Sequence, residues 1–143
     1  MRRKERFTPV AILTTPAGET VVDMGQNFSG VVQLRVSGQA STTIQLQHGE
    51  TLDKDGNFTM QHLALPFVPP KSQEVSYTHK GEGEEVYTPH FTTMGFRYVK
   101  IEGFPGTPSR DNVIGIALHS DMSVTGTFAC SDPLVNQLQH NIL

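Results

Sequence analysis

A chain of 143 residues is one domain's worth, and at 36% hydrophobic and 17% charged it sits within the globular range, away from disordered or membrane compositions. The formal charge is −3, but four of the eleven basic residues and one of the fourteen acids lie in Arg2 to Arg6, so the remainder carries 7 − 13 = −6. That acidic body, with no Trp and three Tyr, lacks the basic surface nucleic-acid binding needs, and no run of about 18 apolar residues is present to span a bilayer.

Arg2-Arg-Lys-Glu-Arg6 is followed by Phe-Thr-Pro rather than an apolar signal-peptide core, and reads as a solvated terminus that leaves the compartment open. Alternation and β-branched content then predict strands at Val10 to Thr14, Thr20 to Met24, Gly30 to Val36, Thr42 to Glu50, Glu74 to His79, Glu85 to Phe91, Phe96 to Glu102, Asn112 to His119 and Val124 to Cys130. Turn signals separate them at Pro16-Ala-Gly18, Ser37-Gly38, Asp53-Lys-Asp-Gly56, Gly81-Glu-Gly83 and Gly103-Phe-Pro-Gly106. Short strands at roughly ten-residue spacing, with no helical period between them, predict an all-β antiparallel sandwich or barrel and argue against a parallel sheet, since no connection is long and periodic enough to be a crossover helix.

Two stretches break the pattern. From Asn57 to Ser72, Leu63, Leu65, Phe67 and Val68 are interleaved with Pro66, Pro69 and Pro70, which remove ladder donors. A loop that long either fills the end of the sandwich with its own side chains or docks on a neighbour or rims a sugar site. At the C-terminus, Asp132 can cap a helix that Pro133 opens, and Leu134, Leu138 and Ile142 fall on one face. So short an amphipathic helix needs something to pack on. It either folds back on the sandwich or, the preferred reading, begins a helical domain beyond it. The expected division is a lead-in strand or linker over 1–14, the sandwich over 15–130 and the helix start over 131–143.

Searches for chemistry return little. The single cysteine, Cys130, excludes an intramolecular disulfide and any Cys-rich zinc site, and its strand pattern favours a small apolar core residue. His48 and Glu50 share a strand face without a third ligand, which reads as a surface pair rather than a metal site. Asp53-Lys-Asp-Gly56 lacks the sixth-position Gly and twelfth-position Glu of an EF-hand and reads as a hairpin turn. The carboxylates lie mostly in turns or strand ends, so no catalytic pair is nominated. Neither a cofactor nor a metal is expected.

Structural roles are clearer. Gly25 and Gly30 suit a tight turn or close backbone approach flanking Gln26 and Asn27, whose amides can satisfy loop carbonyls. Phe91, Phe96 and Tyr98 are expected in the inter-sheet core or at its margin. Arg97 falls on the opposite face from Phe96 and Tyr98 if the strand is regular, and is then either exposed or paired with a carboxylate such as one on a neighbouring strand, a structural ion pair being preferred over direct sugar binding.

Five segments in order, Asp23-Met-Gly-Gln-Asn-Phe-Ser-Gly30, His48-Gly-Glu-Thr-Leu-Asp53 with Asp55-Gly56, Tyr77-Thr-His-Lys-Gly-Glu-Gly83, Phe91 with Gly95-Phe-Arg-Tyr98, and Gly126-Thr-Phe-Ala-Cys-Ser-Asp-Pro-Leu-Val-Asn136, resemble the concanavalin-like β-sandwich of bacterial α-L-rhamnosidases. The likeness runs from about Thr15 to the end, departing at Ser76, where the family often has an acid, and in the Pro-rich 57–72 segment. It implies an antiparallel two-sheet β-sandwich of jelly-roll, concanavalin-like type with a short C-terminal helix, acting as an accessory domain whose partner is an (α/α)6 catalytic barrel that hydrolyses terminal α-L-rhamnose. In that setting Asp23, Gln26, Asn27, Glu50, Phe91, Phe96, Arg97, Tyr98, Leu134 and Leu138 are structural or interface candidates, and the isolated domain is expected to be inactive. An independent module binding rhamnose-containing carbohydrate is the alternative. A self-sufficient small glycosidase is disfavoured.

Overall fold

The computed structural model describes residues 2–63, 67 and 73–142, with the backbone alone for residues 2–4. Eight strands build it: β1 (Arg2–Phe7), β2 (Ala11–Thr14), β3 (Thr20–Ser37), β4 (Thr43–Gly49), β5 (Glu74–Thr78), β6 (Glu84–Tyr87), β7 (Met94–Glu102) and β8 (Val113–His119), followed by helix α1 (Pro133–Ile142). All pairings are antiparallel and all belong to one hydrogen-bonded sheet.

That sheet curls on itself through β3. Its first residues, Thr20 to Asp23, lie between β2 and β7, whereas Gly30 to Leu34 pair with β8 and Leu34 to Ser37 with β6. One half therefore runs β2-β3-β7-β4-β5 and the other β1-β8-β3-β6. The halves enclose a common core in which Val22, Met24, Val32, Leu34 and Val36 of β3 meet Ile44 and Leu46 of β4, Met94, Phe96, Val99 and Ile101 of β7, and Val113 of β8. Alternate residues on each pleated strand face inward. At about 25 cal/mol per Å² of apolar area withdrawn from water, this shared core is the main force holding the curl closed.

The antiparallel β fold predicted from alternation is present as a sandwich, with four local differences. The strand expected from Glu85 to Phe91 ends at Tyr87, short of the Pro89 that cannot donate to a ladder. The strands expected at Thr20 to Met24 and Gly30 to Val36 are one, because the β3–β7 ladder resumes at Phe28↔Phe96 after a register shift beyond Asp23↔Tyr98. The basic start is not a loose terminus but β1, paired with β8. Finally, the segment expected as a strand from Val124 to Cys130 is exposed coil, since β1 already occupies the edge of β8 that a further strand would take. Cys130 is accordingly exposed rather than core.

Asp53 acts as predicted for a hairpin turn. Its Oδ1 accepts the amides of Asp55 and Asn57 at 2.9 and 2.7 Å, Gly56 takes φ +82°, and Leu52 bridges Phe58. Of the 57–72 segment, residues 64–66 and 68–72 lie outside the described residues. Gln61–Leu63 form a 3-10 turn, and Phe67 is exposed. No described helix is long and apolar enough to cross a membrane.

Candidate functional site

The sequence candidates gather mainly where β3 bulges against β7. Asp23, only 8% exposed, receives Arg97 in a fork, Nε to Oδ1 at 2.8 Å and Nη2 to Oδ2 at 2.9 Å. Two parallel charge-assisted bonds fix both groups in angle as well as distance. The same Oδ1 accepts the Gly25 amide at 2.7 Å, and Gly25 at φ +83° turns the chain into the bulge. Hydrogen bonding to Arg97 is the main cause that holds the Asp23 carboxyl below the ordinary carboxylate range, against the opposing effect of burial. Arg97 also lies 5.0 Å over the Tyr98 ring. Gln26 and Asn27 project from this bulge into solvent, so the turn is fixed by the Asp23 carboxylate.

The strand regularity assumed for Arg97 does not hold. On β7 the inward set is Met94, Phe96, Val99 and Ile101, so the alternation slips by one residue between Phe96 and Val99 and leaves Tyr98 at the half-buried margin. The bulge opposite requires that slip. Gly30, where the ladder closes again, has no room for a side chain: a Cβ there would lie 2.1 Å from the Ile116 carbonyl oxygen.

Phe91 departs further from expectation. It is fully exposed, with φ +58°, in the connection between β6 and β7, and takes no part in the core. Phe96 is fully buried, and belongs to a row of rings the sequence did not disclose. Phe7 of β1 contacts Phe28 at 4.8 Å between centroids, Phe28 contacts Phe96 at 4.6 Å, and Phe96 meets His48 edge-on at 4.8 Å. The row ties the outermost strand of one half to β4 of the other. His48 and Glu50 are not the surface pair expected. His48 is 1% exposed with Nδ1 2.9 Å from the Gln73 carbonyl, whereas Glu50 faces His62 at 3.6 Å. Burial pushes His48 down to about 4, which keeps the imidazole neutral. Its place two residues beyond the inward Leu46 was the signal available in the sequence.

A second cluster, unsuspected from the sequence, joins β5 to β6, which share no backbone ladder. Glu85 is buried, accepts the Tyr77 hydroxyl, and takes the amides of Lys80 and Gly81 at 3.1 and 3.0 Å. The Tyr77 bond is the largest cause that pulls Glu85 down to about 2, and Glu85 in turn pushes Tyr77 up to about 12. Tyr77 stacks on Tyr87 at 4.6 Å, and the buried His79 ring packs over Gly38, with Nδ1 3.5 Å from Glu85 Oε1. These groups close the seam between the halves.

Neither buried carboxylate is suited to donate a proton. A general acid needs a raised value, whereas Asp23 and Glu85 are both held ionised. Among the described residues no group of three or more His, Cys, Asp or Glu is placed to hold a metal. Helix α1 is capped by Asp132, whose Oδ1 accepts the Leu134 amide at 2.8 Å, but it buries none of its residues, and Leu134, Leu138 and Ile142 are 78, 57 and 70% exposed.

This is a β-sandwich whose polar clusters serve its own architecture and whose apolar helix is uncovered. The chain belongs to the bacterial α-L-rhamnosidase concanavalin-like domain family, whose model matches residues 13–119. It is 43% identical over 135 residues to an α-L-rhamnosidase of Streptomyces avermitilis, a match covering 94% of this chain and 13% of that one. The crystal structure of Streptomyces avermitilis α-L-rhamnosidase complexed with L-rhamnose superposes with a TM-score of 0.85 at 40% identity, over 99% of this chain and 13% of that one. Native α-L-rhamnosidase from Aspergillus terreus superposes at 0.87 with 36% identity, over 99% and 16%. The chain thus spans a small part of the rhamnosidases it resembles.

Proposed function

We propose that this domain is the accessory β-sandwich of an α-L-rhamnosidase, packing against and supporting the catalytic portion that hydrolyses terminal α-L-rhamnose, without performing hydrolysis itself. In this reading residues 1–14 lend edge strands to the sandwich of 15–130, and 131–143 begin the connection to the catalytic portion. The observation that carries it is α1, a capped amphipathic helix whose apolar face is left in water. Surface helices of globular proteins bury such a stripe. The small share of each relative that the chain matches agrees with a supporting module.

The test is hydrolysis of a chromogenic α-L-rhamnoside. The expected result is no turnover by these 143 residues, with turnover when they are part of a full-length rhamnosidase. Turnover by the isolated chain overturns the reading.

One observation favours a second reading, a rhamnoside-binding module. A shallow, open concavity lined by Gln33, Val86, Tyr87, Thr88 and His90 adjoins another bounded by Arg6, Gln33, Arg35, Asp111 and Ile114 on the outward face of the β1-β8-β3-β6 half. Saturable heat on calorimetric titration with L-rhamnose would establish that module, and a flat titration removes it.

A further inference from the structure

Phe91 combines two unfavourable features. A bulky side chain in the left-handed backbone region is a steric outlier, and here φ is +58°. Its ring is also fully exposed, so burial returns nothing for the strain. Strained residues persist where the surroundings over-determine them, and they cluster at sites of contact.

The surroundings are apolar. Phe91 borders a shallow concavity of about 260 Å³ with Val31, Pro89, His90, Thr92 and Leu118, and His90 links it to the cavity beside Val86, itself 54% exposed. Leu118 lies at the end of β8, so the chain that continues towards α1 leaves the sandwich at the rim of this patch. Along that continuation Met122, Val124, Phe128, Leu134, Leu138 and Ile142 are all exposed. Among the described residues, the large exposed apolar side chains other than Val10 and Phe67 all lie beyond residue 85.

We propose that Phe91 is the anchor of an interdomain docking surface, its ring seated in an apolar recess of the polypeptide that follows α1 in an α-L-rhamnosidase. This rests on the accessory-domain reading above. The occupant is argued from two facts. The Streptomyces avermitilis relative extends far beyond the 13% of its length that this chain matches. A domain tethered through residues 120–142 also meets the patch at high effective concentration, because its tether starts there. An exposed aromatic is the usual centre of such a contact, with the polar groups around it excluding water.

Two measurements test the anchor. In the isolated chain, Phe91→Asn places in the left-handed region a residue that tolerates it, and is expected to raise Tm by about 3 °C. A fall in Tm would mean that Phe91 serves the sandwich itself, and overturns the proposal whatever happens in longer chains. For the second, these residues replace the matching segment of the Streptomyces avermitilis enzyme, and amide exchange is compared with the isolated chain. Exchange at His90, Thr92 and Thr93 is expected to slow at least about tenfold, and Phe91→Asn to restore the fast rate while Phe91→Leu retains most of the protection. Protection on other faces with 90–93 still fast overturns the anchor but leaves the accessory role standing. Protection on no face defeats both.

Discussion

At the scale of single residues, the Asp23–Arg97 fork is the polar contact on which the bulge depends. Arg97→Ala would leave a carboxylate that is 8% exposed without its main partner. Breaking a fully buried pair costs about 3 to 5 kcal/mol. The Arg97 side chain is 38% exposed, so solvent screening reduces the expected loss to about 2 kcal/mol, read as a lower urea midpoint with an unchanged m-value. His48 makes a separate prediction. Its folded value of about 4 lies below the 6.5 of an unfolded chain, so between these values the unfolded state binds more protons. The stability it contributes is complete above pH 6.5 and declines as pH falls, by about 3 kcal/mol once pH passes 4. Glu85 and Asp23, held low, lose their contributions only as pH falls further below the ordinary carboxylate range. His48→Gln should therefore flatten the loss between pH 6.5 and 4, measured as Tm against pH, and leave the more acidic limb intact. The sequence disclosed Phe96 as an apolar residue of the strand predicted from Phe96 to Glu102, but could not disclose Phe91, whose fate is set by a single backbone dihedral rather than by hydropathy. It concealed His48 for another reason: an imidazole at an inward position reads as polar until a carbonyl, here that of Gln73, is seen to satisfy it.

Among the elements, the seam between β5 and β6 is closed by side chains alone, and it is sensitive to volume. A Cβ at Gly38 would stand 2.9 Å from the His79 ring, so Gly38→Ala is expected to cost about 1 to 3 kcal/mol, seen as a lowered Tm. Tyr77→Phe removes the hydroxyl from Glu85 without changing the ring that stacks on Tyr87. Its expected signature is faster amide exchange at Lys80 and Gly81 while the amides of β3 keep their rates. No periodicity argument reaches this cluster, because Tyr77 and Glu85 belong to strands that never pair and His79 lies just beyond the end of β5. The strands themselves were legible through alternation and turn chemistry. Where reading failed, at β1 and at residues 124–130, one edge of β8 was at stake: only the second segment had strand character in the sequence, yet the first takes the edge, with Phe7 set against Phe28. Deleting residues 1–7 should uncover the β8 edge and promote self-association, detectable by light scattering.

For the whole molecule, the consequential feature is β3. A sandwich of two separate sheets can part along its middle, with each leaf breathing or melting on its own schedule. Here a single backbone threads both leaves, so any opening large enough to separate them must tear hydrogen bonds along the same eighteen-residue strand. Chemical denaturation followed by a probe in either leaf should trace one superimposable transition. A module wired in this way behaves as a rigid plinth: it can transmit load between whatever abuts its two ends, but it has little capacity to absorb motion by flexing in between.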